Sequence, residues 1–324
     1  MASAGETRER VARESERRGR LAVPALAGGL LYLLSGIIIA ASVNGAPRVG
    51  VLQGLEPALQ GRANVGASPR ATEVKYISHH AFALVAGSVL AAIAVGALTL
   101  ILLLLADAAR FRRPESWAGA RPLVLAGGIA LPVVSLAHQV ISAIKTHQFA
   151  VGHDLSKHAV DVALTKGAAY AITNTLGLVA GLALAAGMIA VTLNSMRVGL
   201  LPRWMGMLGM FTGVLLIIPL GAVLDVVPAF WMVMMGILFF GRWPNGEPPA
   251  WAAGEARPWP SAAQQRAERR GEEPARESPA SVARVGSDGR GADAAAREAE
   301  AAPAPVPPRA GTPRKRRRKR RARR

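Results

Sequence analysis

The residues of this chain best suited to acid–base or metal chemistry are its six histidines, His79, His80, His138, His147, His153 and His158. Three of them fall in one short stretch, KTHQFAVGHDLSKHAVDVALTK, residues 145–166. If residues 153–164 are helical, Asp154, His158 and Asp161 stand at i, i+4 and i+7 and share a face. Imidazole and carboxylate together can hold Zn²⁺ or pass protons near neutral pH. The spacing matches no established signature such as H-E-x-x-H. The favoured reading is therefore a wet loop whose histidines and carboxylates pair with each other and with water.

A second group lies inside an apolar stretch. Ser135, His138, Gln139 and Ser142 follow Pro132 at near-helical spacing, and Tyr170, Thr173 and Asn174 open the next apolar stretch. Ionisable residues within a membrane usually face the bundle interior or a cavity. Ser135, His138, Gln139, Ser142 and Asn174 are the candidates for an outward-facing polar cavity around His138. The competing reading is plain interhelical hydrogen bonding, which contributes ~0.6 kcal/mol on average in membranes.

Other chemistries lack their residues. There is no cysteine, which removes disulfides, thiolate metal sites and cysteine nucleophiles. Neither a Gly-rich phosphate loop nor a Ser-His-Asp order stands out. No cofactor is expected, and the balance leans away from an enzyme.

The elements that must position these residues are apolar helices. Six windows, 21–43, 81–106, 122–144, 167–196, 204–224 and 226–241, contain no Asp, Glu, Lys or Arg. About 20 apolar residues at 1.5 Å rise cross the hydrocarbon core of a bilayer. Hydrophobic residues make up 51% of the chain, a share that a soluble protein could match, but here they cluster instead of alternating with polar residues. The expected fold is all-α: a polytopic membrane bundle of six transmembrane helices, residues 21–241, with a disordered basic tail. The first window follows an Arg- and Glu-rich stretch and outruns a signal h-region, so it reads as an uncleaved first helix.

Window 226–241 is short. As one helix, residues 204–241 would run ~57 Å, too long for a ~30 Å core. Pro219 and Pro228 flank Asp225, so a tight outward hairpin of two short spans fits, with a re-entrant pair as the alternative. Lys and Arg are denser in the N-terminal segment and in loops 107–121 and 197–203 than on the other side. By the positive-inside rule both termini are cytoplasmic in a cell membrane.

Residues 1–20 repeat Glu-to-Arg pairs at i, i+4, namely Glu6–Arg10, Glu9–Arg13, Glu14–Arg18 and Glu16–Arg20, the order that supports an exposed helix. In residues 242–262, Trp243, Trp251 and Trp259 recur among prolines. That segment reads as an interfacial strap, since prolines oppose helix and indoles favour the headgroup layer. Residues 263–324 are too polar to fold alone. Their final block, Arg314, Lys315, Arg316, Arg317, Arg318, Lys319, Arg320, Arg321, Arg323 and Arg324, carries ten positive charges. It suits anionic lipid headgroups on the bilayer surface first and nucleic-acid phosphates second. It has no interleaved aromatics for base stacking. Two GxxxG spacings, Gly177–Gly181 and Gly209–Gly213, allow close helix packing. They favour packing within the chain over homo-oligomers.

The segments YISHHAF (76–82), MRVGLLPRWMGMLGMFTGVL (196–215) and GRWPNGEPPAWAAGEARPWP (241–260) resemble a family of uncharacterised multipass membrane proteins from high-GC, actinobacterial-type bacteria. The resemblance covers roughly residues 20–262. It implies an all-helical integral membrane domain with both termini inside and carries no catalytic or binding residue. The functional expectation is a non-enzymatic membrane scaffold or packing protein. A small-solute or ion transporter using the His138 cavity ranks second, and a metal-dependent membrane enzyme third.

Overall fold

A computed structural model describes residues 4–47, 49, 50, 52, 56, 59, 61, 67–217, 225–244 and 246–259. The tail 263–324, with its basic block, lies outside the described residues. Among the described residues the chain is all-helical and has no strand. The nine helices among the described residues are α1 (Ala4–Asn44), α2 (Ala71–His79), α3 (Ala81–Arg112), α4 (Ala120–Val151), α5 (Lys157–Leu164), α6 (Ala168–Arg197), α7 (Arg203–Leu215), α8 (Val226–Phe239) and α9 (Pro249–Ala253).

Four helical stretches are long and apolar enough to cross a membrane: Gly5–Asn44, Ala81–Arg112, Ala120–Val151 and Lys157–Arg197. The last two windows of the sequence yield shorter helices. α7 has 13 residues and α8 has 14, each ~20 Å long at 1.5 Å per residue. Residues 218–224, which carry Pro219, lie outside the described residues.

The long helices pack as a ring. α1 packs against α3 and α8, α3 against α4, α4 against α6, α6 against α7, and α7 against α8. Small residues set the closest approach. A Cβ on Gly127 of α4 would lie 2.8 Å from the Ala180 carbonyl oxygen of α6. A Cβ on Gly187 of α6 would lie 2.9 Å from the Val124 nitrogen of α4. Only glycine admits backbone-to-backbone contact at these two levels. The core lies inside the ring, where Leu98, Ile101, Leu102, Leu105, Leu184, Met188, Trp231 and Met232 are fully buried.

The outside of the bundle is apolar as well. Val23, Leu30 and Ile37 of α1, Ile93 and Leu100 of α3, Ile129 and Val133 of α4, and Ile172, Leu178 and Val179 of α6 are all at least half exposed. Exposed apolar side chains on this scale, on helices long enough to cross a bilayer, suggest a membrane protein.

Each end of the ring carries its own polar cover. At one end α2 and α5 lie over the end of α4, with Ala71, Val74, Phe149, Val160 and Ala163 forming a small second core. At the other end the first turns of α1, the end of α3 and the 243–259 strap come together.

α1 runs unbroken through Pro24 from Ala4 to Asn44, so the Glu–Arg segment is helical and continuous with the first apolar window. One expectation about local structure needs correction. Residues 153–156 are not helical. Ser156 caps α5, its hydroxyl accepting from the Ala159 N–H at 3.2 Å, so the helix starts at Lys157.

Candidate functional site

That start decides the fate of the histidine–carboxylate face. Asp154 precedes the cap, and its Oδ1 accepts from the Ser156 N–H at 2.8 Å. Asp161 is turned to Lys166, 2.9 Å away. Among the described residues no three His, Asp or Glu side chains converge to hold a metal ion. Asp154, His158 and Asp161 therefore do not form the metal set that their spacing suggested. Both carboxylates are held below the usual carboxylate range, Asp154 by the Ser156 N–H and Asp161 by the Lys166 ammonium.

The His138 group is partly assembled. His138 Nδ1 lies 3.1 Å from Thr173 Oγ1, linking α4 to α6. Its ring meets Tyr170 edge-on at 5.4 Å. Tyr170 is buried and donates to the Ala163 carbonyl at 2.7 Å, which ties the bundle to the α5 cover. Lys145 Nζ lies 4.8 Å from the Tyr170 ring centroid and donates to the Lys166 carbonyl at 3.0 Å. Ser142 accepts on its carbonyl from Thr146. Gln139 sits half-buried beside His138, whereas Ser135 and Asn174 are exposed on the bundle surface. The arrangement is a packed His–Thr–Tyr contact flanked by a lysine, and two of the five expected residues stand apart from it.

The opposite end holds a polar assembly that local spacing does not reveal. Arg112, at the last position of α3, has a fully buried side chain. Its Nη1 donates to Glu14 Oε2 at 2.8 Å and to the Ala108 carbonyl at 3.0 Å. Its Nε donates to the Ala250 carbonyl at 2.8 Å, and Nη2 reaches the Trp251 carbonyl at 3.5 Å. Four of the five guanidinium N–H groups are thus engaged. A buried charge is tolerated only with such complete pairing.

Trp251 anchors the same junction. Its indole N–H donates to the Leu200 carbonyl at 3.0 Å, and Phe239 meets its ring edge-on at 6.4 Å. Arg18 forms an ion pair with Glu247 and lies 5.1 Å over the Trp251 ring. The Arg257 N–H donates to the Val198 carbonyl at 3.1 Å. Gly254 ends α9 at φ +68°, a left-handed turn suited to glycine. The strap is therefore docked on protein, with Trp243 and Trp251 buried where a headgroup-layer position was expected. Trp204 stacks on Trp243 at 5.6 Å and stays partly exposed, as does Trp117.

The expected Glu14–Arg18 pair does not form, because each residue has a stronger partner from a distant segment. Glu16–Arg20 forms at 2.6 Å as the spacing indicates. Spacing along α1 gives Glu14 and Arg18 a shared face but not their partners. The buried face of α1 at Ala25 and Ala22 continues upward at helical spacing to Arg18 and Glu14.

The GxxxG pairs also separate. A Cβ on Gly209 would lie 2.9 Å from Trp231 Nε1, and one on Gly213 would lie 3.1 Å from the Ala185 carbonyl. The face of α7 that bears them is occupied within the chain. Gly177 and Gly181 have only ordinary contacts beside them. Compared with known protein families, curated proteins and solved structures, the chain matches none.

Proposed function

We propose that this is a multi-pass integral membrane protein of six spans, both termini cytoplasmic, acting as a non-enzymatic scaffold. Its inner face is organised by the Glu14–Arg112–Trp251 clamp. The observation that carries this reading is the clamp itself. A buried guanidinium joins the N-terminal helix, the end of α3 and the C-terminal strap, and so builds a rigid inner platform from three separate segments. α7 and α8 serve as the fifth and sixth spans. α7 packs against α6 and α8 against α1, and Trp231 and Met232 of α8 are fully buried.

Arg110, Arg112, Arg113 and Arg121 flank the α3–α4 turn at the clamp end, which the positive-inside rule assigns to the cytoplasm. The basic block Arg314–Arg324, by its charge alone, suits anionic headgroups of the inner leaflet. Membership of the high-GC membrane family belongs to the same proposal, on the segments 76–82, 196–215 and 241–260.

The second reading, an outward-open solute pathway, draws on the His138–Thr173–Tyr170 contact between α4 and α6. A transporter site would gather polar groups from several spans near mid-depth. This contact joins only two spans, near the start of α6 and 13 residues before the end of α4 at Val151.

Reporter fusions test the proposal. After Gly45, Phe111, Gly152, Leu200 and Gly241 they are expected to alternate out, in, out, in, in. An external signal at Phe111, or a periplasmic-active fusion after Gly241, removes it.

A further inference from the structure

Both helices that flank the inner end of α3 change character at the same level. On α1, Arg10, Arg13 and Arg17 stand at i, i+3 and i+7, and Leu21 continues the row one turn further. On α3, Leu100 and Leu103 give way to Asp107 and Arg110 at matching spacing. α3 packs against α1 on one side and α4 on the other, and so floors a groove between them.

At the mouth of this groove lies a cavity of about 500 Å³. It is lined by Arg10, Arg13 and Arg17 from α1, Arg110 from α3 and Arg121 from α4. Directly beside it is a hollow of about 330 Å³, where Arg17, Arg20 and Arg121 meet Leu21, Leu100 and Leu103. Two carboxylates also face the mouth, and each already has a cation. Glu14 is bound to Arg112, and Asp107 lies 3.1 Å from Arg121. Among the described residues, Arg17 and Arg110 make no ion pair. Three helices thus aim guanidiniums at one space, and the space opens onto leucines on its membrane side, Leu100 being half exposed.

We propose that this groove binds one anionic phospholipid. Its headgroup phosphate is held by Arg17, Arg110 and Arg121, and an acyl chain lies along Leu21, Leu100 and Leu103. Guanidinium forks match phosphate oxygens geometrically and form charge-assisted bonds with them. Basic pockets between spans on the cytoplasmic side are where such headgroups are recognised. The continuity of cationic mouth and apolar wall selects a lipid over a free anion, which needs no hydrocarbon contact. On binding, the phosphate shares Arg121 with Asp107. This inference rests on the membrane placement proposed above, which the reporter fusions test separately.

The test is native mass spectrometry of the full-length protein in detergent, titrated with phosphatidylglycerol, phosphatidylcholine or inorganic phosphate. One phosphatidylglycerol is expected to stay bound under conditions that strip phosphatidylcholine. The Arg17→Gln/Arg110→Gln/Arg121→Gln variant should lower its retention by roughly tenfold or more, given what each basic residue contributes at a charged headgroup. Deleting Arg314–Arg324 should leave the bound lipid in place, which separates this site from adsorption by the tail. Leu100→Trp fills the apolar wall without touching charge and should also expel the lipid, so the outcome does not depend on the triple variant folding. Equal retention of the two lipids by the unaltered protein overturns the proposal. So does undiminished phosphatidylglycerol binding in both groove variants, or displacement of the lipid by inorganic phosphate at equal concentration.

Discussion

The guanidinium of Arg112 donates to the carboxylate of Glu14 at 2.8 Å, a pair joined across 98 positions of sequence and shielded from solvent. The same guanidinium holds two strap carbonyls, at Ala250 and Trp251. Its removal thus strands a buried carboxylate and two acceptors together.

Arg112→Ala is expected to destabilise the solubilised protein by about 3–5 kcal/mol, the cost of leaving one partner of a buried pair unpaired. Glu14→Leu combined with Arg112→Met should recover the part of that loss due to the stranded carboxylate, while the Ala250 and Trp251 carbonyls still lack the donor that Arg112 gave them. Denaturant or thermal unfolding in detergent measures both. Additive losses in the double variant would show that the two residues are not coupled.

Gly209→Ala should cost about 1–3 kcal/mol through overpacking against Trp231 and Thr192. Gly177→Ala, with only Val134 at 3.7 Å, should be close to neutral. Neither change should alter the oligomeric state measured by light scattering with detergent correction, because the Gly209–Gly213 face is filled within the chain. A Gly209→Ala protein that dissociates from dimer to folded monomer would contradict this packing.

Much of this architecture can be read along the chain, and the reasons for success and failure differ by residue. The apolar windows announce α1, α3, α4 and α6 because lipid imposes length and the exclusion of charge, both local properties. The clamp was not legible. Glu14 looks like one member of a regular Glu–Arg i, i+4 series, and Arg112 looks like one of several loop arginines that set topology. Their partnership depends on how α1 leans against α3, which no spacing rule carries. The metal face failed for a smaller reason. Ser156 is a good helix cap, and reading it as one moves the start of α5 past Asp154. Trp251 was read from its amphipathic ring alone, and the Leu200 carbonyl that receives its N–H is supplied by a distant loop.

The Asp161–Lys166 contact gives the α5 cover an acid sensitivity of known sign. The folded carboxyl titrates below its ordinary value of 3.8, chiefly through the hydrogen bond from Lys166. Its contribution is present above that pH and is lost as pH falls through the lower folded value. Lys166 is exposed and Asp161 partly so, and solvent screening keeps the effect small and salt-sensitive. Amide hydrogen exchange of residues 157–164 at pH 5 and pH 3 measures it. Asp161→Asn should remove the difference between those two pH values.

His138 tests packing against transport. Thr173→Val deletes the hydrogen bond from the α6 side and should cost about 0.6 kcal/mol, the usual worth of an interhelical bond in a membrane. His138→Phe keeps the edge-on contact with Tyr170 and should be tolerated on expression and melting. A solute or proton flux in proteoliposomes that disappears in either variant would favour the pathway reading over the scaffold.

The account depends most on the clamp end and the α2–α5 end facing opposite sides of a membrane. Because the chain has no cysteine, single introduced thiols report position without background. Ala118→Cys in the α3–α4 turn and Ala252→Cys in the strap are both exposed at the clamp end, and His153→Cys is exposed at the other. With a membrane-impermeant maleimide on intact cells, His153→Cys should label, while Ala118→Cys and Ala252→Cys should label only after permeabilisation. Labelling of Ala252→Cys in intact cells while Ala118→Cys stays protected would place the strap and the end of α3 on opposite sides, and the clamp could not exist.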